Sequence, residues 1–161
     1  MKNFEERAID LGMKGLCCSQ IVLILAGLEP QGKTNDELLN AAKGLARGMY
    51  IQHACGSLSG GACVFGLYDM SKEEIAASCK ELTQWFKERF GSLECSGILG
   101  VGGMPTPVCT ETMAETSQKC LEILEEKRKL RKGTGHASDI LNGMMSDFDE
   151  PCCCSGSTSC C

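Results

Sequence analysis

The sequence predicts an all-α fold: a compact bundle of about five or six helices followed by a flexible, cysteine-rich C-terminal tail. Three observations point that way. Aromatic residues make up only 5% of the chain, and the apolar content leans on Leu, Ala, Ile, Met and Cys, which suits helices better than sheet. Apolar residues recur at three- and four-residue steps in successive segments. The one run that could read as a strand, Ile21-Val22-Leu23-Ile24, has no convincing second strand to pair with.

Residues 3–14 read as an amphipathic helix with Phe4, Ala8, Leu11 and Met13 on its apolar side, weakened at its end by Gly12 and Gly15. Residues 16–26 read as a second, strongly buried helix, which Gly27, Pro30 and Gly32 are expected to end. Thr34 or Asn35 can cap a third helix, with Asp36 and Glu37 in its first turn. It carries Leu38, Leu39, Ala42 and Leu45. A fourth helix follows the stretch His53-Ala54-Cys55-Gly56 and reaches about Tyr68. Ser71 and Glu74 form a capping box for a fifth, running to Phe90 and stopped by Gly91. Its stripe is Ile75, Cys79, Leu82, Phe86 and Phe90.

Residues 92–105 read as loop. Thr106 and Pro107 then cap and start a last helix from Val108 to about Arg131, which puts Cys109 and Cys120 close to one face. The domain division expected is 1–132 for the helical part and 133–161 for linker and tail, with a short helix around Ile140 to Met145.

The chain has 161 residues, 43% hydrophobic and 23% charged, enough for one packed core plus a tail. Net charge is −5. The only basic run, Lys127-Arg128-Lys129-Leu130-Arg131-Lys132, sits at a predicted helix end, where cations complement the dipole. Nucleic acid is therefore not expected as a partner. The N-terminus has no apolar signal core, and the longest apolar run, Ile21 to Leu28, is too short to span a bilayer. A cytoplasmic protein without membrane insertion is the expectation. In a reducing cytosol, thirteen cysteines point to metal ligation or redox chemistry.

Cys55 stands at a predicted helix start. Unpaired N–H groups and the positive end of the helix dipole there favour thiolate over thiol. Cys55 is thus the expected centre of a cysteine site. No C-x-x-C or zinc-finger spacing occurs in the helical part, so partners must be brought in by the fold. Cys63, Cys79 and Cys120 read as small buried hydrophobes, and His53 as a capping or solvent-facing residue.

The ordered pattern Leu16-Cys17-Cys18-Ser19-Gln20-Ile21-Val22-Leu23, Cys55-Gly56-Ser57-Leu58-Ser59-Gly60-Gly61, Phe90-Gly91-Ser92-Leu93-Glu94-Cys95 and Val108-Cys109 resembles the C-GCAxxG-C-C family over roughly residues 5 to 125. These are small bacterial and archaeal proteins described as redox-active. The resemblance implies that Cys18, Cys55, Cys95 and Cys109 are the characteristic cysteines. Ser57 stands where the family motif has Ala. Cys17 is an alternative to Cys18, although Ser19-Gln20 favours the latter.

Four thiols from four segments can do two things. They can hold an iron–sulfur cluster, zinc or Cu(I), or they can cycle between dithiol and disulfide with Cys55 attacking. The expected function is redox chemistry with a redox partner, and the expected oxidoreductase residues are these four cysteines. The alternative is soft-metal binding or sequestration. In that case Cys152, Cys153, Cys154, Cys160 and Cys161 join the ligands as a capture arm, resembling the vicinal pairs at the C-termini of mercuric reductases and some thioredoxin reductases. No Ser-His-Asp set and no phosphate-binding loop competes.

Overall fold

Cap chemistry fixes where the helices begin. The computed structural model describes residues 3–100, 102 and 107–133, with side chains to residue 128. In α1 (Phe4–Met13), Asn3 Oδ1 accepts the Glu6 N–H at 2.8 Å and the Glu6 carboxylate accepts the Asn3 N–H. Ala8 and Leu11 are buried, but Met13 is 76% exposed. The expectation for Met13 fails because two residues on from Leu11 is more than half a turn round the helix.

The second helix, α2 (Cys18–Val22), does not stop near Gly27. It passes through a wider π turn, Leu23–Leu28, and a 3-10 turn, Glu29–Gln31. Gly32, in the left-handed conformation at φ 63, ends it. Gly27 lies inside the core instead, where a Cβ would stand 2.7 Å from Leu67 Cδ1. Asn35 caps α3 (Asp36–Ala42) by accepting the Leu38 N–H at 2.9 Å.

Between α3 and α4 (Gly56–Phe65) the backbone turns left-handed at Arg47, Met49, Tyr50 and Gln52, with φ of 51, 57, 61 and 61. Each such non-glycine residue costs on the order of 1 kcal/mol. The expected Ser71–Glu74 box caps α5 (Lys72–Phe90), and Gly91 ends it at φ 77. The expected loop after it holds a short helix, α6 (Cys95–Leu99). Ser92 Oγ accepts the Glu94 N–H, and Glu94 O then accepts from Gly97 and Ile98, which nucleates the turn. The last helix, α7, runs Pro107–Gly133.

The described chain is helical, as expected. Its one β feature among the described residues is an isolated antiparallel bridge, Ala54–Glu94. The chain divides into a unit of Met1–Lys127 and a second of Arg128–Cys161. The core of the first takes Ile21, Val22 and Leu23 from the α2 segment. To these are added Val64 and Phe65 of α4, Leu82 and Phe86 of α5, and Cys120 and Ile123 of α7. Burying a side chain such as Phe65 or Phe86 contributes about 2–3 kcal/mol.

Two polar ties hold α2 to α3 within this apolar setting. Buried Ser19 donates through Oγ to Ala42 O at 2.7 Å, and Gln20 donates through Nε2 to Leu39 O at 2.9 Å. No helix among the described residues is long and apolar enough to cross a membrane.

Candidate functional site: four thiols around the start of α4

The closest helix pair is α2 against α4, and glycine makes it possible. Gly56 and Gly60 are one turn apart on the same face of α4. A Cβ on Gly60 would stand 2.7 Å from Ser19 O and 3.0 Å from Ser19 Cα. A Cβ on Gly56 would overlap Cys18 Sγ and stand 2.9 Å from Leu45 O. The Cys18 sulfur therefore fills the space of a missing side chain, one residue beyond Cys55. The thiol of Cys17 is turned to Gln20 instead, with Sγ 3.1 Å from Oε1, while the Cys17 N–H donates to the same oxygen at 3.0 Å. Gln20 thus fixes which of the two adjacent cysteines faces α4.

Cys95 arrives through the β-bridge. The Cys55 N–H donates to Leu93 O and the Cys95 N–H donates to His53 O, both at 2.8 Å. His53 serves through its backbone; its exposed ring pairs with exposed Glu94 at 3.6 Å. Cys55 and Cys95 are thus each the residue that follows a partner in the bridge, Ala54 and Glu94. Cys109 comes from the first turn of α7. Its carbonyl accepts from Thr112 Oγ1 at 2.8 Å, and Thr112 Oγ1 lies 3.2 Å from Ser57 Oγ. Since the Thr112 proton goes to Cys109 O, Ser57 donates in that pair.

The four sequence-predicted cysteines therefore share one neighbourhood. Cys55 is its hub, in electrostatic range of Cys18, Cys95 and Cys109. Among the described residues, however, no group of three or more His, Cys, Asp or Glu side chains closes into a metal-binding set.

Burial reverses the expected charge state. Cys55 does cap α4, and the amides of Ser57 and Leu58 and the Ser57 hydroxyl do pull its thiol down. Desolvation is the larger effect, the Cys109 thiol adds to it, and the Cys55 thiol ends above its ordinary value. Burial likewise pushes Cys18 up to about 11, opposed by the Arg47 backbone amide and reinforced by Cys55 and Cys17. Cys95 is raised by burial, then by Cys55 and Cys109, and is lowered by the Arg47 charge. Cys18, Cys55 and Cys95 therefore rest as neutral thiols, not activated thiolates.

Arg47 is the member of this site that sequence reasoning missed. Its left-handed backbone aims an amide at Cys18 while its guanidinium acts on Cys95. No residue-type pattern marks a non-glycine left-handed position. Ser57 was visible only as a departure from the family motif. Ser57→Ala is expected to cost about 1 kcal/mol, because Thr112 Oγ1 loses its donor. It should also slow Cys55 alkylation at fixed pH, because on ionisation the Ser57 hydroxyl can turn from Thr112 to the thiolate and hold it. Iodoacetamide kinetics followed by peptide mapping check this. An unchanged rate counts against the role.

Of the other cysteines, Cys120 is buried as expected and Cys79 is half-buried. Cys63, expected as a small buried hydrophobe, is exposed. It points away from the face that Gly60, Gly61 and Val64 bury. The proposed capture residues Cys152, Cys153, Cys154, Cys160 and Cys161 lie outside the described residues, as does the helix expected around Ile140 to Met145.

A family model described as "Putative redox-active protein (C_GCAxxG_C_C)" matches residues 16–132. No curated protein and no solved structure matches the chain.

Proposed function

The chain belongs to the C_GCAxxG_C_C family, and from that premise we propose that it is a redox protein working by thiol–disulfide exchange, with Cys55 and Cys18 as its central pair. The observation that carries this reading is the Cys18 sulfur lodged against Gly56, beside Cys55.

The exchange runs inward. Cys55 is 6% exposed, whereas Cys18 is half-buried. Contact with a partner disulfide therefore falls to Cys18 instead of Cys55. Cys18 loses its proton and attacks; the partner S–S bond breaks, and one partner sulfur leaves as a thiol carrying that proton. Cys55 loses its proton and attacks the Cys18 sulfur, and the second partner thiol leaves. The protein is oxidised by two electrons and the partner disulfide is reduced to two thiols. Dithiol and disulfide are both neutral, so burial opposes only the thiolate between them. Cys95 and Cys109 flank the pair and can pass the disulfide on.

A second reading, a thiolate metal centre, would require the thiols around Cys55 to draw together, since among the described residues no three of them close into a metal-binding set. A cation would supply the charge that the buried sulfurs lack when they deprotonate.

Anaerobic purification, metal analysis and a visible spectrum separate the two. The exchange reading expects colourless, metal-free protein. After oxidation by a small disulfide, the Cys17→Ser, Cys63→Ser form should yield linked tryptic peptides 15–33 and 48–72. That link should vanish in Cys18→Ser and in Cys55→Ser. Stoichiometric iron or zinc released by losing any of the four thiols would overturn exchange in favour of the metal reading.

A further inference from the structure

Arg47 carries a conformational cost that its own packing does not explain. Its backbone is left-handed at φ 51, a conformation that glycine holds without strain and that the next residue, Gly48, holds at φ 62. Gln52 is left-handed too, but its side chain is engaged. The Gly102 N–H donates to Gln52 Oε1 at 2.8 Å, and Gln52 Nε2 donates to Gly100 O. Arg47 is exposed, and no carboxylate among the described residues pairs with it. The other two arginines of Met1–Lys127, Arg7 and Arg89, are held by Glu29 and Glu115.

Arg47 also stands at the entry thiol. The place a Gly56 Cβ would take is bounded by the Cys18 sulfur, by Leu45 O at 2.9 Å and by Ala46 Cα at 3.4 Å. The chain therefore passes Cys18 immediately before Arg47. The Arg47 amide then meets the Cys18 sulfur, and the guanidinium acts on Cys95. The exposed side chain thus runs from Cys18 toward Cys95 on the solvent side of the two thiols.

We propose that Arg47 selects the disulfide that reacts at Cys18, by pairing with a carboxylate carried close to the S–S bond of a low-molecular-weight disulfide. This rests on the exchange through Cys18 and Cys55 described above. An anionic disulfide is repelled by a chain of net charge −5 and by the attacking thiolate. Arg47 offsets that repulsion where the sulfurs must meet. Its planar guanidinium holds a carboxylate through two parallel N–H donors and so orients the bond to be attacked.

The step balances. Cys18 loses its proton and attacks one sulfur of the small disulfide. That S–S bond breaks, and one carboxylate-bearing thiol leaves with the proton. Cys55 loses its proton and attacks the Cys18 sulfur, expelling the second small thiol. The protein loses two electrons and two protons, and the small disulfide gains both. Arg47 gives up no proton and forms no covalent bond.

The test uses the full chain carrying Cys17→Ser and Cys55→Ser, in which Cys18 is the only thiol of tryptic peptide 15–33. Three small disulfides are compared: anionic dithiodipropionate, neutral hydroxyethyl disulfide and cationic cystamine. The rate at which free Cys18 disappears is read from that peptide after an alkylation quench. Each rate is divided by the rate with hydroxyethyl disulfide, which removes any change in the thiol itself. Arg47→Gly should lower the dithiodipropionate ratio roughly two- to fivefold and raise the cystamine ratio. Glycine adopts the left-handed backbone freely and keeps the amide, so the surroundings of Cys18 survive; circular dichroism confirms the fold. Salt at about 0.5 M should bring the dithiodipropionate ratios of the two proteins together. Equal ratios in the two proteins at low salt overturn the proposal and leave the exchange standing. No reaction of Cys18 with any of the three overturns the exchange as well.

Discussion

Gly60→Ala is expected to destabilise the protein by about 3 kcal/mol, read as a lowered urea midpoint. Alanine for glycine inside a helix ordinarily stabilises by up to about 1 kcal/mol, so a net loss must come from packing. The new Cβ would meet Ser19 O at 2.7 Å, Ser19 Cα at 3.0 Å and Ser19 C at 3.3 Å, all backbone. No rotamer relieves that contact; α2 itself must move. Ser19 is meanwhile held by its bond to Ala42 O and its neighbour Gln20 by the bond to Leu39 O. Moving α2 strains both.

Gly56→Ala differs in kind, because one of its three contacts is the movable Cys18 sulfur. That substitution should disturb the Cys18–Cys55 pair as well as the fold, because Leu45 O at 2.9 Å is backbone and cannot turn aside. Gly44→Ala is the control. Nothing lies within 4 Å of its Cβ position and its φ is negative, so a small gain is expected. Equal effects at positions 44 and 60 would refute the packing account.

Much of the fold was legible because it rests on short-range chemistry. The Ser71–Glu74 box, the stripe through Leu82 and Phe86 and the stop at Gly91 are all local. So was the choice of Cys18: Ser19 and Gln20 bind α3, and Gln20 turns Cys17 aside. Illegible features depend on contacts distant in sequence. The bridge Ala54–Glu94 joins segments forty residues apart, and Arg47 is left-handed without being glycine. The same cause reversed the expectation for Cys55. A helix N-terminus is readable from residues 55 to 61, but the burial that outweighs it comes from α2, α6 and α7. Cys63 was misjudged for a related reason. From Gly60 to Phe65 its stretch has no polar side chain, so periodicity could not tell the buried face of α4 from the exposed one.

Burial of thiols has a cost that appears only at high pH, and Cys120 isolates it. Burial, with a smaller addition from Cys79, pushes the Cys120 thiol from 9.0 up to about 12, and burial pushes Cys18 up to about 11. A group that holds its proton more tightly folded than unfolded stabilises the fold below its unfolded value. That contribution is lost as pH rises through the folded value. Stability should therefore fall between pH 9 and 12, by on the order of a few kcal/mol for each of these thiols.

Lysines and tyrosines titrate in the same range, so the wild-type curve alone does not assign the loss. Cys120→Ala does. At pH 7 under reducing conditions the variant should be less stable by about 1 kcal/mol, the cost of a small buried group. It carries no thiol to ionise, so its stability should fall less with pH. The two urea midpoints should converge, cross near roughly pH 10 and then reverse order. A difference that stays constant from pH 7 to 11 would mean that Cys120 ionises as readily folded as unfolded, and that its burial does not set its charge.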